Sequence, residues 1–296
     1  MTVDELGRYF ERVAGQPLPA DASLETADDW AFGSIADPPA SVAEAIRGYL
    51  ATAEVLGRRT GELHGALADS SDPAFAPEPL TKEDVRAIVE SMRERAGEHL
   101  NLLEAVLPRL DERVQDEARQ VLRQRDALLQ QFDELRDVSA GATRIRCHGD
   151  YHLGQVLVSE GDVVILDFEG EPARRPEERR AKCSPLRDVA GMLRSFSYAA
   201  LTAVGAATQT RPDDARRLAP WADFWERWIS AAFLRAYLTA THGASFLPAP
   251  RDLDVLLRAY VLDKALYELA YELNNRPSWV HIPLAGVRQL RPRLHA

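Results

Sequence analysis

The sequence predicts a mainly helical α+β fold with one small β-hairpin set into it. Long stretches with apolar positions three and four apart, opened by capping residues and closed by Pro or Asn, occupy most of the 296 residues. Strand formers cluster only once, between Arg144 and Phe168. A composition of 46% hydrophobic and 28% charged residues is that of an ordinary globular protein able to bury a core.

The elements follow in order. Residues 1–40 carry Pro17, Pro19, Pro38 and Pro39 and sustain no period, which predicts a linker around one short helix. Residues 41–296 read as the helical body. Ser41-Val42-Ala43-Glu44 has the spacing of a capping box, so a helix is expected from Ser41 to about Leu67. Gly57, Gly61 and Gly65 line one face of it and predict close approach of another backbone. After the loop Asp69 to Pro79, Thr81 is expected to cap a helix to about Leu107. Pro108 interrupts, Asp111 restarts the pattern, and a charged helix to about Arg136 completes an antiparallel pair.

Thr143 to Cys147, Val156 to Val158 and Val163 to Leu166 are the strand-forming runs, with the turn Glu160-Gly161-Asp162 between the last two. No strand series is expected before Arg144. Helices resume through Trp221, Trp225 and Trp228, whose shared face predicts core packing, then from Asp252 to Asn275, and again after Pro283. Asn274 and Asn275 ahead of Pro277 mark a helix stop.

A net charge of −10 and a pI near 5.3 exclude general affinity for nucleic acid or anionic lipid. No run approaches the roughly 20 apolar residues of a membrane span, and the first residues do not read as a secretory leader. A cytoplasmic protein is expected. Cys147 and Cys183 lack C-x-x-C spacing, so reduced thiols are the expectation.

The chemistry concentrates in His148-Gly149-Asp150-Tyr151-His152-Leu153-Gly154-Gln155, followed across the hairpin by Asp167-Phe168-Glu169. A hairpin brings its ends together, so Asp150, Gln155 and Asp167 are expected to converge. An amide oxygen at Gln155 and a carboxylate at Asp167 suit Mg²⁺, which takes one or two carboxylates and leaves room for phosphates.

These residues resemble the catalytic loop and metal-binding Asp motif of protein-kinase-like enzymes, with Gln155 where the metal-binding Asn stands and Glu169 where the Gly stands. The His-Gly-Asp-x-His form is similar to the aminoglycoside-phosphotransferase type. Within it, HGDYHLGQVL, ILDFEGEP and YELNNRP resemble the maltokinases, in order and spacing. The resemblance implies a kinase-like C-terminal lobe, and an activity that uses ATP and Mg²⁺ to make maltose 1-phosphate from maltose in glycogen, α-glucan and trehalose metabolism. It also implies association with trehalose synthase.

By the same resemblance Asp150 is the catalytic base or orienter of the acceptor hydroxyl, Gln155 and Asp167 hold the metal, and Asp188 orders the loop. His148 and His152 stand four apart, a spacing that metal pairs use, but no third soft ligand is near. His148 is read as bracing the loop and His152 as lying near the acceptor. On the helix from Asp252, Tyr260, Lys264, Tyr267 and Tyr271 form a stripe opposite Val255, Leu262, Leu266, Leu269 and Leu273. Rings and polar tips together suit a sugar, and a second buried helix contact is the other reading. The basic stretch from Arg174 to Arg187 reads either as solvated charge or as a phosphate or partner-docking segment.

A kinase of this fold also has a β-rich N-terminal lobe that clamps the nucleotide. Here there is no G-x-G-x-x-G, no G-x-x-x-x-G-K-[ST] and no lysine before Lys82. The expectation is therefore a C-lobe without its N-lobe: a piece of a longer enzyme, a lobe completed by a second polypeptide, or a non-catalytic sugar-binding or docking module. Another sugar or an aminoglycoside is the alternative acceptor.

Overall fold

The computed structural model describes residues 2–19, 37–138, 141–172, 174–208 and 214–290. Its centre is a pair of long helices, α8 (Leu186–Thr208) and α9 (Ala215–Ala240), with α10 (Pro250–Asn275) packed on α8. Helix α9 presents Trp221, Trp225 and Trp228 inward, all buried as their shared face predicts. The Trp225 ring meets Tyr49 at 5.1 Å and Phe196 edge-on at 6.3 Å. On α10, Leu262, Leu266, Leu269 and Leu273 are buried, but so are Leu253, Leu256, Leu257, Ala259 and Val261. The helix is covered around most of its girth.

The segment expected to be a linker starts with a helix of the body, α1 (Thr2–Val13). Leu6, Tyr9, Phe10 and Val13, spaced as one helical face, are buried, and the Tyr9 hydroxyl donates to the Trp221 carbonyl at 3.0 Å. Residues 20–36 of that expected linker lie outside the described residues. The Ser41 capping box does not form. Helix α2 (Ala40–Ile46) starts one residue earlier behind Pro39, whose fixed φ suits a helix entry. The chain then breaks, because Gly48 takes a φ of 103° before α3 (Tyr49–Ala68).

Helix α3 lies against α9 at the expected glycines. A Cβ on Gly57 would come within 2.2 Å of the Phe233 carbonyl oxygen, and one on Gly61 within 2.8 Å of the Ala240 methyl. Gly65 faces open space, so only two of the three small residues serve the contact.

A two-residue strand, β1 (Glu78–Pro79), precedes Arg144 and pairs antiparallel with β2 (Thr143–Arg144); among the described residues it is the one strand before β2. Thr81 and Asp84 form the capping box of α4 (Lys82–Val106). The next helix begins at the expected cap, Asp111, but it is divided into α5 (Glu112–Arg123) and α6 (Arg125–Asp133). Past β2 the expected strand through Cys147 shortens to a single bridge, Ile145 to Cys183.

The hairpin forms as read, with β3 (Val156–Ser159) antiparallel to β4 (Asp162–Ile165) and Val156 opposite Ile165. Glu160 and Gly161 both have positive φ, 51° and 82°, as a two-residue turn of this hand requires. Arg59 of α3 clamps the turn through Asp162, and Val163 is buried beneath it. A short helix α7 (Pro176–Arg180) follows the hairpin, and α11 (His281–Gln289) closes the body. Among the described residues no helix is long and apolar enough to cross a membrane.

Candidate active site

The loop from His148 to Gln155 is held by a buried carboxylate. Asp188, at the start of α8, accepts from the His148 backbone N–H at 2.7 Å and the Gly149 N–H at 2.9 Å. Its remaining capacity meets His64 Nε2 at 3.2 Å, and His64 Nδ1 reaches the Tyr237 hydroxyl at 3.0 Å. Burial works against the Asp188 charge, but the hydrogen bond and charge of His64 and the Gly149 amide outweigh it, leaving the carboxyl below its ordinary range.

Gly149 takes a φ of 86° here, a conformation side chains resist. Gly191, one turn into α8, is needed for a different reason: a Cβ there would stand 2.5 Å from the Tyr151 carbonyl oxygen. The loop therefore lies directly on the helix.

His148 is buried. Its Nε2 contacts the Leu166 carbonyl at 2.7 Å, linking the loop to the far end of the hairpin. Its ring packs on Tyr151 at 5.2 Å and Phe168 at 5.1 Å. Tyr151 is hydrogen-bonded to Thr60 at 2.8 Å, and the Leu153 N–H donates to the Ser195 hydroxyl at 2.9 Å. Backbone and side chains on every side thus fix where Asp150 sits.

Asp150 lines a small open cleft together with Tyr151, Glu171, Arg174, Arg187 and, from α10, Tyr260, Asp263, Lys264 and Tyr267. Lys264 Nζ lies 4.9 Å over the Tyr267 ring and 4.0 Å from Glu171. Burial, then the Glu171 charge and a hydrogen bond to it, push the Tyr267 phenol up to about 12. His152 Nε2 is 3.8 Å from Asp150, and burial draws its imidazole below the ordinary value, with Asp150 opposing.

Gln155 and Asp167 meet at the exposed end of the hairpin, where the amide Nε2 donates to Oδ2 at 3.0 Å. Asp167 has a φ of 65°, unusual for a residue with a side chain and marking a tightly specified position. Both bear hard oxygen donors. Among the described residues no group of three or more His, Cys, Asp or Glu side chains is arranged to hold a metal. Beside this pair, Leu157, Val164, Leu166 and Phe168 form an exposed apolar surface.

The structure thus brings Tyr260, Lys264 and Tyr267 to the cleft with Asp150, as their stripe predicts. Tyr271 does not join them. It is 46% exposed and lies against the Arg276 guanidinium, because α10 continues a further turn past the cleft. The basic stretch is only partly solvated. Lys182 is paired with Glu78 at 2.8 Å, and Arg174 and Arg187 line the cleft. Sequence reasoning gave no role to Glu171 or Asp263, yet both line the cleft. Asp263 falls about 60° from Tyr260 around α10, so the same helical wheel holds the signal. Arg95 of α4 takes Asp263 with one nitrogen, 3.0 and 3.1 Å from its two oxygens.

This arrangement, a helix-anchored His-Gly-Asp loop beside a hairpin ending in an acid, goes with a direct sequence match: residues 33–221 match the APH phosphotransferase enzyme family. The chain belongs to that family. More particular relatives are a glucosamine kinase of Streptacidiphilus jiangxiensis, 30% identical over 252 residues, and one of Mycolicibacterium smegmatis, 31% identical over 266. The matches cover 82% and 88% of this chain but 50% and 58% of those proteins. The chain spans about half the length of the curated relatives it matches. A solved glucosamine kinase in complex with glucosamine, ADP and inorganic phosphate superposes with a TM-score of 0.69 at 25% identity, covering 98% of this chain and 59% of that one.

Proposed function

We propose that this chain is the acceptor-binding, catalytic lobe of an ATP-dependent sugar kinase, and that an N-terminal lobe outside it completes the nucleotide site. The observation that carries the reading is the fixed position of Asp150, held by the Asp188-anchored loop in the wall of a cleft that also presents Tyr267 and Lys264. Such a carboxylate accepts a proton from an acceptor hydroxyl as it attacks a phosphoryl group, a contribution of about 10² to 10⁴ in rate. His148 braces the loop. His152, beside Asp150, belongs to the acceptor side.

Gln155 and Asp167 supply oxygen donors that suit Mg²⁺, and the cation would neutralise phosphate charge. The exposed apolar face of the hairpin beside them suits a nucleotide base. An enzyme that uses ATP and keeps two free thiols belongs in a reducing cytoplasm.

For the acceptor, the relatives favour an amino sugar of the glucosamine class. Asp150 in the cleft is suited to an ammonium group, with Glu171, 4.0 Å from Lys264, beside it. Maltose is the second reading, favoured by the HGDYHLGQVL, ILDFEGEP and YELNNRP blocks alone. The relatives do not extend to maltose, to glycogen or trehalose metabolism, or to trehalose synthase.

The test is ADP release and sugar-phosphate formation by the purified chain with ATP, Mg²⁺ and a panel of acceptors, alongside calorimetric titration of each sugar. Slow phosphorylation of glucosamine, abolished by Asp150→Asn, is the expected result, because the nucleotide is held here without the clamp of the outside lobe. Binding of a sugar without turnover would turn the reading to a docking module, and neither binding nor turnover would overturn it.

A further inference from the structure

The proposed reaction uses Asp150, Gln155 and Asp167, and no cation of the cleft takes a chemical step in it. Arg174, Arg187 and Lys264 all line the same cavity as Asp150. Among the described residues neither Arg174 nor Arg187 has a carboxylate in ion-pair contact. Asp263 is taken by Arg95, and Glu171 is shared by Lys264 and Tyr267. Arg187 places one N–H 3.3 Å from the Gly149 carbonyl and lies beside the Cys183 thiol and the Asp188 carboxylate, which outweigh burial and hold its charge; it still turns toward the cleft. Burial, then the like charges of Arg187 and Arg95, draw the Arg174 guanidinium below its ordinary value, with the more distant charges of Asp263 and Glu171 opposing.

A guanidinium does not shed its proton in proteins, and a partly buried one such as Arg174, with no carboxylate in direct contact, is only partly compensated. The cost is relieved when a ligand brings the missing negative charge. Arginine forks bind phosphate oxygens with several N–H groups at once, and a nearby ammonium adds a point charge. Tyr260 and Tyr267 flank these cations with apolar ring surface. A bare inorganic anion has no use for that surface, whereas a sugar ring does.

We propose that Arg174, Arg187 and Lys264 form a subsite for the phosphoryl group of a sugar phosphomonoester, the product of the transfer. The identity of this ligand rests on the phosphotransferase reading; the anion site itself does not. Held there, the new phosphate lies near the Asp150 carboxylate and is repelled by it. The phosphorylated sugar then competes with the unphosphorylated acceptor for the same cleft.

The experiment is calorimetric titration of the full chain, without nucleotide or Mg²⁺, at mildly alkaline pH and fixed ionic strength. The probes are glucosamine 6-phosphate, inorganic phosphate and glucosamine, and the variants are R174Q, K264Q and D150N. Thermal melts check that each variant is folded. The sugar phosphate is expected to bind more tightly than either of the other probes. R174Q should weaken the sugar phosphate about tenfold while changing glucosamine far less. K264Q should weaken it in the same direction, and D150N should tighten it by removing the repelling charge. Equal affinity of the sugar phosphate for wild type, R174Q and K264Q, or no detectable binding to wild type, would overturn the subsite.

Since no transfer is needed, the two proposals separate. Arg174-dependent binding in a chain that never phosphorylates a sugar sustains the subsite and sinks only the catalytic reading. Turnover with no dependence on Arg174 or Lys264 for sugar-phosphate binding does the reverse.

Discussion

Replacing Asp188 with alanine removes the acceptor of two backbone N–H groups, at 2.7 and 2.9 Å, and the partner of His64 at 3.2 Å. All sit in a buried setting that water does not reach readily. A buried donor stripped of its partner costs about 1–3 kcal/mol, and losing one member of a buried charged network about 3–5 kcal/mol in all. Asp188→Ala should therefore lose roughly 3–5 kcal/mol. Urea unfolding followed by circular dichroism reads this as a fall in midpoint of about 1–2 M. Asp188→Asn keeps the shape and one acceptor oxygen and should fall between the alanine variant and the wild type.

The pH dependence gives an independent check. The folded carboxyl lies below its ordinary value, so its stabilisation is complete above the unfolded value of about 3.9 and is lost as pH falls through the lower folded value. The gap between wild type and Asp188→Asn should narrow only in acid. A midpoint for Asp188→Ala within about 0.3 M of the wild type, under 1 kcal/mol, would refute the claim that this residue anchors the loop.

Gly57→Ala forces a methyl against the Phe233 carbonyl and should cost about 1–3 kcal/mol by thermal melt, while Gly65→Ala, facing open space, should be neutral or stabilising. Burial pushes Glu226 up to about 7, with Arg194 opposing, so the folded state holds a proton that the unfolded state has released above about pH 4.3. Its contribution falls as pH rises through that window, and melts of Glu226→Gln should gain up to about 3 kcal/mol on wild type between mildly acidic and alkaline buffer. Tyr267→Phe removes a phenol hydroxyl from the cleft wall and should weaken glucosamine several-fold in titration without moving the melting temperature appreciably.

Much of this was legible in the chain, for reasons that are local. The β3–β4 hairpin is announced by alternating strand formers and Glu160-Gly161, and the α4 cap by Thr81 and Asp84, since each depends on neighbours in sequence. Gly57 and Gly61 announce a close helix contact without naming α9 as the partner, which only the tertiary fold decides. The Ser41 cap fails because Pro39 supplies an equally good entry two residues earlier, and a motif of four residues cannot rank the two. Tyr271 lies on the same helical stripe as Tyr267, but a stripe does not say where the cleft ends. Roles for Arg187 and Glu171 depend on contacts across the cleft, and no spacing rule brings residues from separate elements together.

The first turn and a half of α8 unites what the loop needs. Asp188 holds the His148 and Gly149 amides, Arg187 reaches the Gly149 carbonyl, and Gly191 lets the Tyr151 carbonyl approach without a side chain between. Residues at steps of three and four share a helix face, so one rigid helix end sets both the position of Asp150 and the charge around it. The hairpin beyond is different in kind: its Gln155 and Asp167 end is exposed and it shows apolar side chains to the outside. Precision is therefore concentrated around Asp150, and an open surface remains at the end of the hairpin. An α8 that shifted by one residue would lose the loop's amide contacts and the glycine gap together, so the two features act as one constraint.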